Sequence, residues 1–242
     1  MKTGTLYGIG VGPGDPDLIT VKGAAVLGRS AHVFVPKART SAESVALSIA
    51  QRYVSPSAAI HEILFPMTTD RSELLARWEE SARAVAEVLQ AGMDACFLTL
   101  GDTFLYSTYI YLLRALRDLI PDVRVVTVPG ITAFSAAAAV AEFPVGEGKE
   151  TVTIVPTADD LDSVRTALQQ GGTVVLMKIG KRLPQILDLL EKSDSIDRSA
   201  FVSHVGMENE LIETDLSRLR TDDPEKRGYL SILLVHKKVE RI

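Results

Sequence analysis

The stretch YGIGVGPGDPDLIT, residues 7–20, places four glycines and two prolines between an apolar run and the start of an apparent helix. Loops of this kind often hold phosphates, but a dinucleotide fingerprint needs G-x-G-x-x-G, and Pro13 stands where the third glycine is required. A P-loop is also excluded, because Gly14 is followed by Asp-Pro and not by Lys-Ser or Lys-Thr. Asp15 and Asp17 would repel a pyrophosphate, so we expect a different ligand.

The prolines and acids of this loop suggest local roles as well. Pro13 and Pro16 stiffen the chain, and the glycines allow close approach or a positive φ angle. Either Asp15 or Asp17 could cap the helix that we expect to begin near residues 19–20.

A second stretch, FLTLGDTFLYSTYIYLL at residues 97–113, joins an apolar strand to an aromatic helix through Gly101-Asp102. Open α/β sheets bind ligands at the carboxyl ends of their strands, which is where this loop would lie. The alternative is a plain turn with a core stripe, because Leu105, Tyr109, Leu112, Leu113 and Leu116 have helical spacing. Four consecutive hydroxyl groups at residues 106–109 are harder to explain as core.

A third stretch, VTVPGITAFSAAAA at residues 126–139, repeats the arrangement of strand, turn and helix. Pro129-Gly130 forms the predicted turn, and Thr132 precedes an alanine-rich helix. Small residues at such a point allow a ligand to approach the backbone closely.

Strand-like and helix-like runs alternate along the first part of the chain. The strand-like runs are Thr5–Val11, His32–Val35, Asp94–Leu100 and Val123–Val128. The helix-like runs are Ser41–Val54, Ser72–Ala91, Thr108–Leu119 and Ala133–Ala141. This alternation predicts an α/β fold with a mainly parallel sheet. Trp78 falls on the apolar face of the long helix and is predicted to be a core residue.

A composition break at FPVGEGKE, residues 143–150, predicts an N-terminal domain 1–145 and a C-terminal domain 146–242. The pattern then restarts with strand Glu150–Val155, helix Leu161–Gln169, strand Thr173–Met177 and helix Leu183–Glu191. Three crowded strands follow, Ala200–Ser203, Leu211–Thr214 and Leu230–His236, with a short helical piece at Leu216–Leu219. Such crowding predicts a mixed sheet in the C-terminal domain.

Composition and charge exclude several classes of protein. The 242 residues carry a net charge of −5 without a stretch rich in Lys and Arg, which argues against nucleic acid as a partner. Cys96 lies in an apolar run and is expected to be a buried hydrophobe. The longest near-apolar run, Ile131–Ala141, is well short of the ~18 residues of a membrane span. We therefore expect a cytoplasmic protein without membrane contact.

The four histidines, at positions 32, 61, 204 and 236, show no spacing typical of metal ligands, so no protein-bound metal is expected. His204 is a candidate for a substrate contact, and the alternative is a structural role.

In this order, the three loops resemble those of the tetrapyrrole (corrin/porphyrin) methylases, S-adenosylmethionine-dependent enzymes with two α/β domains. The resemblance covers nearly the whole chain, although Thr103 replaces the proline of the family's usual Gly-Asp-Pro. Within the family, YSTYIYLL, VLMKIGK and SHVGMENE resemble the branch that methylates C-20 of precorrin-2 or cobalt-factor II in cobalamin biosynthesis. The alternatives are a sister methylase of different regiochemistry, such as a uroporphyrinogen-III or precorrin-4 methyltransferase, a member of the wider fold family that methylates RNA or a modified protein residue, and a non-catalytic binding module.

The resemblance implies that S-adenosylmethionine binds in a cleft between the two domains. The implied cofactor contacts are Leu100, Gly101, Asp102, Leu105, Thr132, Ala133, Met177, Lys178, Val205, Gly206, Leu230 and Ser231. The opening loop then faces the tetrapyrrole, and the candidate substrate contacts are Pro13, Asp15, Lys37, Arg39, Tyr106 and Ser107. A homodimer is also expected from the resemblance.

The substrate of this branch carries several acidic arms, which require local cations in an acidic protein. Lys37 and Arg39 follow a predicted strand and are the best placed. Methyl transfer asks little of side chains, but the methylated carbon must lose a proton. If a base takes that proton, Asp15 is the first candidate and Asp102 the second.

Overall fold

The computed structural model describes residues 2–37, 43–65, 70–157, 161–220 and 223–237. The chain divides into two compact units, Met1–Thr132 and Ala133–Ile242. Each unit is built on its own five-stranded sheet.

The first unit contains a fully parallel sheet, as the sequence predicts. Its strands are β1 (Thr5–Gly10), β2 (His32–Lys37), β3 (Ala59–Leu64), β4 (Ala95–Thr99) and β5 (Arg124–Val128). Its helices are α1 (Val21–Leu27), α2 (Val45–Ala50), α3 (Arg71–Gln90) and α4 (Tyr109–Leu119). The strand order is β3-β2-β4-β1-β5. The central strand β4 is buried along its whole length, and its carboxyl end carries the Gly101-Asp102 loop.

The sequence pattern missed β3, whose residues are mostly exposed or half-buried because it lies at the edge of the sheet. An edge strand needs no continuous apolar run, and His61 and Glu62 interrupt the pattern here.

Helix α3 packs closely only over its second half. Ala82, Val85 and Leu89 are buried in the core, whereas Leu75 is 52% exposed. Trp78 is half-buried at the margin of this core and stacks face to face on Tyr111, with ring centroids 4.3 Å apart. The predicted core position of Trp78 is therefore only partly reached.

The second unit has the mixed sheet that the sequence predicts. Its strands are β6 (Val152–Pro156), β7 (Gly172–Met177), β8 (Ser199–Ser203), β9 (Leu211–Glu213) and β10 (Ser231–Lys237). Its helices are α5 (Ala133–Val140), α6 (Asp162–Gln170), α7 (Leu183–Lys192) and α8 (Pro224–Gly228). The order is β6-β7-β10-β8-β9, in which β6 and β7 are parallel and the other neighbours antiparallel.

Helix α5 belongs to this second sheet. Ala136 and Ala137 pack with Val175, Val202 and Ile232 in one apolar cluster. The composition break at residues 143–150 is thus the connection from α5 to β6 inside the second unit, and the units separate at Thr132–Ala133.

Cys96 is fully buried, as expected from its apolar surroundings. Its Sγ lies 2.8 Å from the hydroxyl oxygen of Ser30, and burial raises the pKa of the thiol to about 11. The thiol is therefore protonated near neutral pH and acts as a packed, unreactive group.

Candidate active site

The glycine-rich opening loop is joined to the Gly101-Asp102 loop through backbone hydrogen bonds. Gly12 and Gly101 form an isolated bridge, in which the Gly101 N–H donates to the Gly12 carbonyl at 2.8 Å and the reverse bond measures 3.2 Å. Both residues have positive φ angles, +81° and +70°. Glycine is needed at these two positions because other residues rarely adopt that backbone conformation.

A third glycine completes the contact between the three loops. A Cβ atom on Gly130 would lie 2.1 Å from the Gly101 carbonyl oxygen, and one on Gly10 would lie 2.5 Å from the Gly130 nitrogen. The missing side chains therefore let three backbones touch.

Asp102 fastens the second loop to the third. Its Oδ1 accepts the N–H of Phe104 at 2.8 Å, and its Oδ2 accepts the N–H of Gly130 at 3.1 Å. Because each carboxylate oxygen is already paired with a backbone donor, Asp102 is better suited to hold the loops than to take a proton.

Asp15 caps a local turn and not the helix that the sequence suggested. Its Oδ1 accepts the N–H of Asp17 at 2.8 Å and caps the short 3₁₀ turn Pro16–Leu18. The cap of α1 itself is Thr20, whose hydroxyl accepts the N–H of Gly23 at 3.1 Å. Pro13 is buried and Asp15 half-buried, so their predicted substrate contacts remain predictions.

The row of hydroxyl groups divides between structural and accessible positions. The Ser107 hydroxyl is buried 2.8 Å from that of Thr99 and accepts the N–H of Tyr109 at 3.0 Å. Tyr109 is buried, its phenol lies 3.0 Å from the Thr127 hydroxyl, and burial raises its pKa. Tyr106, in contrast, is 40% exposed and has a φ angle of +52°. Of the predicted substrate contacts here, Tyr106 is the accessible one.

Phe104, which the sequence pattern did not single out, is also accessible on this loop. Its side chain is 55% exposed, although its backbone is held by Asp102 and its ring meets the buried Tyr109 ring edge-on at 5.7 Å. A fixed, exposed aromatic ring beside Tyr106 presents a flat apolar surface. The signal available in the sequence was a phenylalanine directly after a turn, outside the helical stripe.

The structure describes one of the two predicted cationic substrate contacts, Lys37, but not the other, Arg39. The Lys37 ammonium forms an ion pair with Glu62 at 3.0 Å, and its side chain is 13% exposed. Arg39 lies outside the described residues.

The second unit brings together the candidate cofactor contacts of three strand ends. Ile232 pairs with Met177, and Ser231 pairs with Ser203, which immediately precedes the segment 204–206. The His204 N–H donates to the Leu230 carbonyl at 2.9 Å. Antiparallel pairing thus gathers the candidate contacts of the second unit where β7 and β8 end and β10 begins, at one end of the three neighbouring strands. These contacts are Met177, Lys178, Val205, Gly206, Leu230 and Ser231.

Backbone strain marks this end of the strands. Lys178, His204 and Leu230 have φ angles of +55°, +52° and +46°. Non-glycine residues in the left-handed region cost free energy and are concentrated at functional sites.

The third loop carries two further candidate cofactor contacts, Thr132 just before α5 and Ala133 at the first residue of α5. Both residues are half-buried.

Neither a metal centre nor a membrane span is found in the part of the chain that the structure describes. Among the residues that the structure describes, no group of three or more His, Cys, Asp or Glu side chains is arranged to hold a metal ion. No described helix is both long enough and apolar enough to cross a bilayer.

Comparison with known proteins places these loops in a family. The family description Tetrapyrrole (Corrin/Porphyrin) Methylases matches residues 5–220. The cobalt-precorrin-2 C(20)-methyltransferase of Salmonella typhimurium is 34% identical over 237 residues, which cover 98% of this chain and 98% of that protein.

Two solved structures share the fold. A cobalt precorrin-4 methyltransferase has a TM-score of 0.73 at 22% identity, covering 96% of this chain and 94% of its own. The uroporphyrin-III C-methyltransferase of Thermus thermophilus, complexed with S-adenosylhomocysteine, has a TM-score of 0.64 at 18% identity, covering 97% and 98%. With the family match over most of the chain, the expectation drawn from the three loops is confirmed, and the chain belongs to the tetrapyrrole (corrin/porphyrin) methylases.

Proposed function

We propose that this protein transfers a methyl group from S-adenosylmethionine to C-20 of precorrin-2 or cobalt-factor II in cobalamin biosynthesis. The observation that carries the proposal is the 34% identity, over 98% of both chains, to the Salmonella typhimurium cobalt-precorrin-2 C(20)-methyltransferase. The cobalt-precorrin-4 C(11)-methyltransferase of Priestia megaterium is 30% identical, but the match covers only 63% of this chain and 52% of that protein.

The residues of the loops after β4 and β5, and those at the strand ends of the second sheet, fit S-adenosylmethionine. Gly101 leaves its backbone uncovered after β4, and Thr132 offers a small side chain after β5. Lys178 and Leu230 hold strained backbone at the strand ends of the second sheet. Support for the ligand also comes from the S-adenosylhomocysteine bound in the uroporphyrin-III enzyme of the same fold. We propose that all twelve contacts implied by the family resemblance belong to this site.

When bound, S-adenosylmethionine supplies an electrophilic methyl group on a sulfonium. The reduced tetrapyrrole provides its own nucleophilic carbon, so the residues of this chain act mainly by positioning. Well-aligned reactants can gain ~7–11 kcal/mol from orientation alone. The glycine contacts and the Asp102 bridge fix the loops that we propose do this.

We further propose that the exposed rings of Phe104 and Tyr106 meet the flat face of the macrocycle. Such stacking is worth ~0.5–1.5 kcal/mol beyond the area buried. Lys37 and Arg39 remain the proposed partners of the acidic arms. Pro13, Asp15 and Ser107 remain proposed contacts with other parts of the substrate. In this role Lys37 would exchange its ion pair with Glu62 for a substrate carboxylate.

The decisive experiment is carbon NMR of the product made anaerobically with a ¹³C-methyl donor, from precorrin-2 and from its cobalt complex in parallel. We expect a single labelled methyl on C-20. Label on another carbon would assign the chain to a sister methylase, and the faster of the two substrates would identify the natural one.

Binding is tested separately by calorimetry with S-adenosylhomocysteine and no added metal. We expect saturable binding, which Gly101→Val abolishes in a folded protein because a branched residue is poorly accommodated at φ +70°. The control is Gly28→Ala, where the nearest neighbour of a new Cβ atom is 3.5 Å away. Unaltered binding by folded Gly101→Val would remove this loop from the cofactor site.

A cytoplasmic location and a homodimer also remain proposals. Sedimentation of the purified protein across a range of concentrations tests the second. A monomer at micromolar concentration would contradict it.

A further inference from the structure

The methylated carbon must release a proton, and the histidines of the chain differ in how their rings are held. The Nδ1 of His32 lies 3.0 Å from the Nε2 of His61, and the Nδ1 of His236 lies 3.0 Å from the Thr173 hydroxyl. His204 differs from these three, because neither of its ring nitrogens has a hydrogen-bond partner among the described residues.

The position of His204 is also unusual. It follows the last residue of β8 with a φ angle of +52°, and the left-handed residues Lys178 and Leu230 lie at the same end of the strands. The ring is half-buried and lies 5.9 Å from the ring of Tyr229, tilted by 56°. A strained backbone that presents an uncommitted imidazole beside candidate cofactor residues is an arrangement expected of a reacting group.

The surroundings keep this imidazole neutral. Burial lowers the pKa of His204 below its ordinary value of 6.5. Titratable groups follow His204 on its own loop and precede its hydrogen-bond partner Leu230, and they are Glu208, Glu210, Lys226, Arg227 and Tyr229. Those on the two strands paired with β8, and directly after β7, are Glu213, His236, Lys237 and Lys178. Glu210 is already engaged, since its Oε2 accepts the N–H of Gly206 at 2.7 Å. Near pH 7 the ring therefore has a free lone pair that can accept a proton.

We propose that His204 is the base that takes the proton from C-20 of the methylated tetrapyrrole, an assignment that rests on the proposed function. As the bond from C-20 to the methyl carbon forms, the bond from that carbon to sulfur breaks and sulfur keeps the electron pair. The C–H bond at C-20 then breaks, its electrons return to the macrocycle, and the proton passes to a ring nitrogen of His204.

Asp15 is the competing base from the sequence. One of its carboxylate oxygens already accepts the Asp17 N–H at 2.8 Å, which gives the residue a structural purpose. The two assignments give opposite results in the variants Asp15→Asn and His204→Gln.

The kinetic experiment compares His204→Gln and His204→Ala with wild type. General-base catalysis is worth about 10²–10⁴-fold, so we expect kcat to fall by about 10²–10³-fold while KM for the tetrapyrrole stays within about twofold. Added imidazole should restore kcat of His204→Ala at least about tenfold, in proportion to its free base. The acid limb of the wild-type kcat profile, below pH 6.5, should be absent from His204→Gln.

His236→Gln is the matched control, because His236 lies in the same unit but its ring is bonded to Thr173. It should retain kcat, the acid limb and indifference to imidazole. Full turnover by His204→Gln, or a fall in kcat that imidazole does not rescue, would overturn the proposal.

A readout without turnover uses proton NMR of the His204 Cε1–H, assigned by its loss in His204→Gln. We expect it to titrate below pH 6.5 in the free protein and to shift when precorrin-2 is added with S-adenosylhomocysteine. No shift on addition would contradict contact with the substrate. Regiochemistry is measured on the wild-type protein, separately from the kinetics of the His204 variants. Label at a carbon other than C-20 would therefore refute the proposed function, and the kinetic comparison of the His204 variants would be unchanged by that result.

Discussion

The two sheets present their candidate ligand loops in different ways. In the first unit, Gly10, Gly101 and Gly130 bring three backbones into contact, and the Asp102 carboxylate ties two of the loops together. In the second unit, the strand ends carry ordinary side chains in left-handed conformations, at Lys178, His204 and Leu230.

The difference separates two ways of building a ligand site. At these glycines the first unit lacks side chains, so the backbones meet without strain, although Tyr106 on the same loop keeps its side chain at a φ angle of +52°. At Lys178, His204 and Leu230 the second unit keeps the side chains and accepts the cost of the backbone conformation, which is ~1–2 kcal/mol per residue, although Gly206 beside them is a glycine at φ +75°. Retaining a side chain at such a cost is reasonable where the side chain itself takes part in binding or catalysis.

The largest expected effect is on the glycine contact of the first unit. In Gly130→Ala, a Cβ atom would lie 2.1 Å from the Gly101 carbonyl oxygen, so the loops must separate. We expect the free energy of unfolding to fall by ~3 kcal/mol and S-adenosylhomocysteine binding to be lost. Urea denaturation and calorimetry measure the two quantities. Gly28→Ala should change stability by less than ~0.5 kcal/mol, and equal behaviour of both variants would refute close packing.

A smaller effect is expected from the Asp102 bridge. Asp102→Ala leaves the N–H groups of Phe104 and Gly130 without their acceptor, which should lower the free energy of unfolding by ~2 kcal/mol. Asp102→Asn keeps one carbonyl oxygen and should lose about half as much. Chemical denaturation of both variants provides the measurement. If the two substitutions are equally damaging, the carboxylate has a role other than bridging the loops.

The exposed aromatic ring of the first unit is expected to act on substrate alone. Phe104→Ala should raise KM for the tetrapyrrole about 5–10-fold, equivalent to ~1 kcal/mol, while Phe104→Tyr stays near wild type. Affinity for S-adenosylhomocysteine should not change. Leu75→Ala, on α3 and 52% exposed in wild type, is the control. Steady-state kinetics with an unchanged KM in Phe104→Ala would exclude stacking.

The smallest effect concerns the left-handed residues of the second unit. Lys178→Gly and Glu142→Gly replace residues with φ angles of +55° and +49°, so each should raise the free energy of unfolding by ~0.5 kcal/mol. Only Lys178→Gly should weaken S-adenosylhomocysteine binding, by about threefold. Calorimetry measures the affinity of both variants for S-adenosylhomocysteine. Equal affinities would show that the Lys178 side chain does not contribute to binding.

The elements with strong sequence patterns were predictable. The central strand β4 and helix α4 follow from the continuous apolar run and from the helical spacing of Tyr109, Leu112 and Leu116. The edge strand β3 was missed because polar residues interrupt it. The attachment of α5 to the second sheet was also missed, because an alanine-rich surface fits many partners equally well.

The candidate site likewise has features that the sequence predicted and contacts that it could not reveal. Pro13 and the residues after Gly14 excluded a phosphate loop from the sequence alone, and the order of three loops indicated the family. The partners of Asp102 lie at residues 104 and 130, and the second of these is distant in the chain. No local pattern could reveal that bond.

By itself, then, the sequence determined the α/β class, the parallel and mixed character of the two sheets, and the loops that follow their strands, because periodicity and turn chemistry are local. Tertiary structure decided which glycines touch, which hydroxyls are buried, and that Phe104 stays exposed. It also decided the left-handed backbone of His204 and the absence of a partner for its ring among the described residues. These properties depend on strands far apart in the chain being brought to one edge, where packing and not local preference selects the conformation.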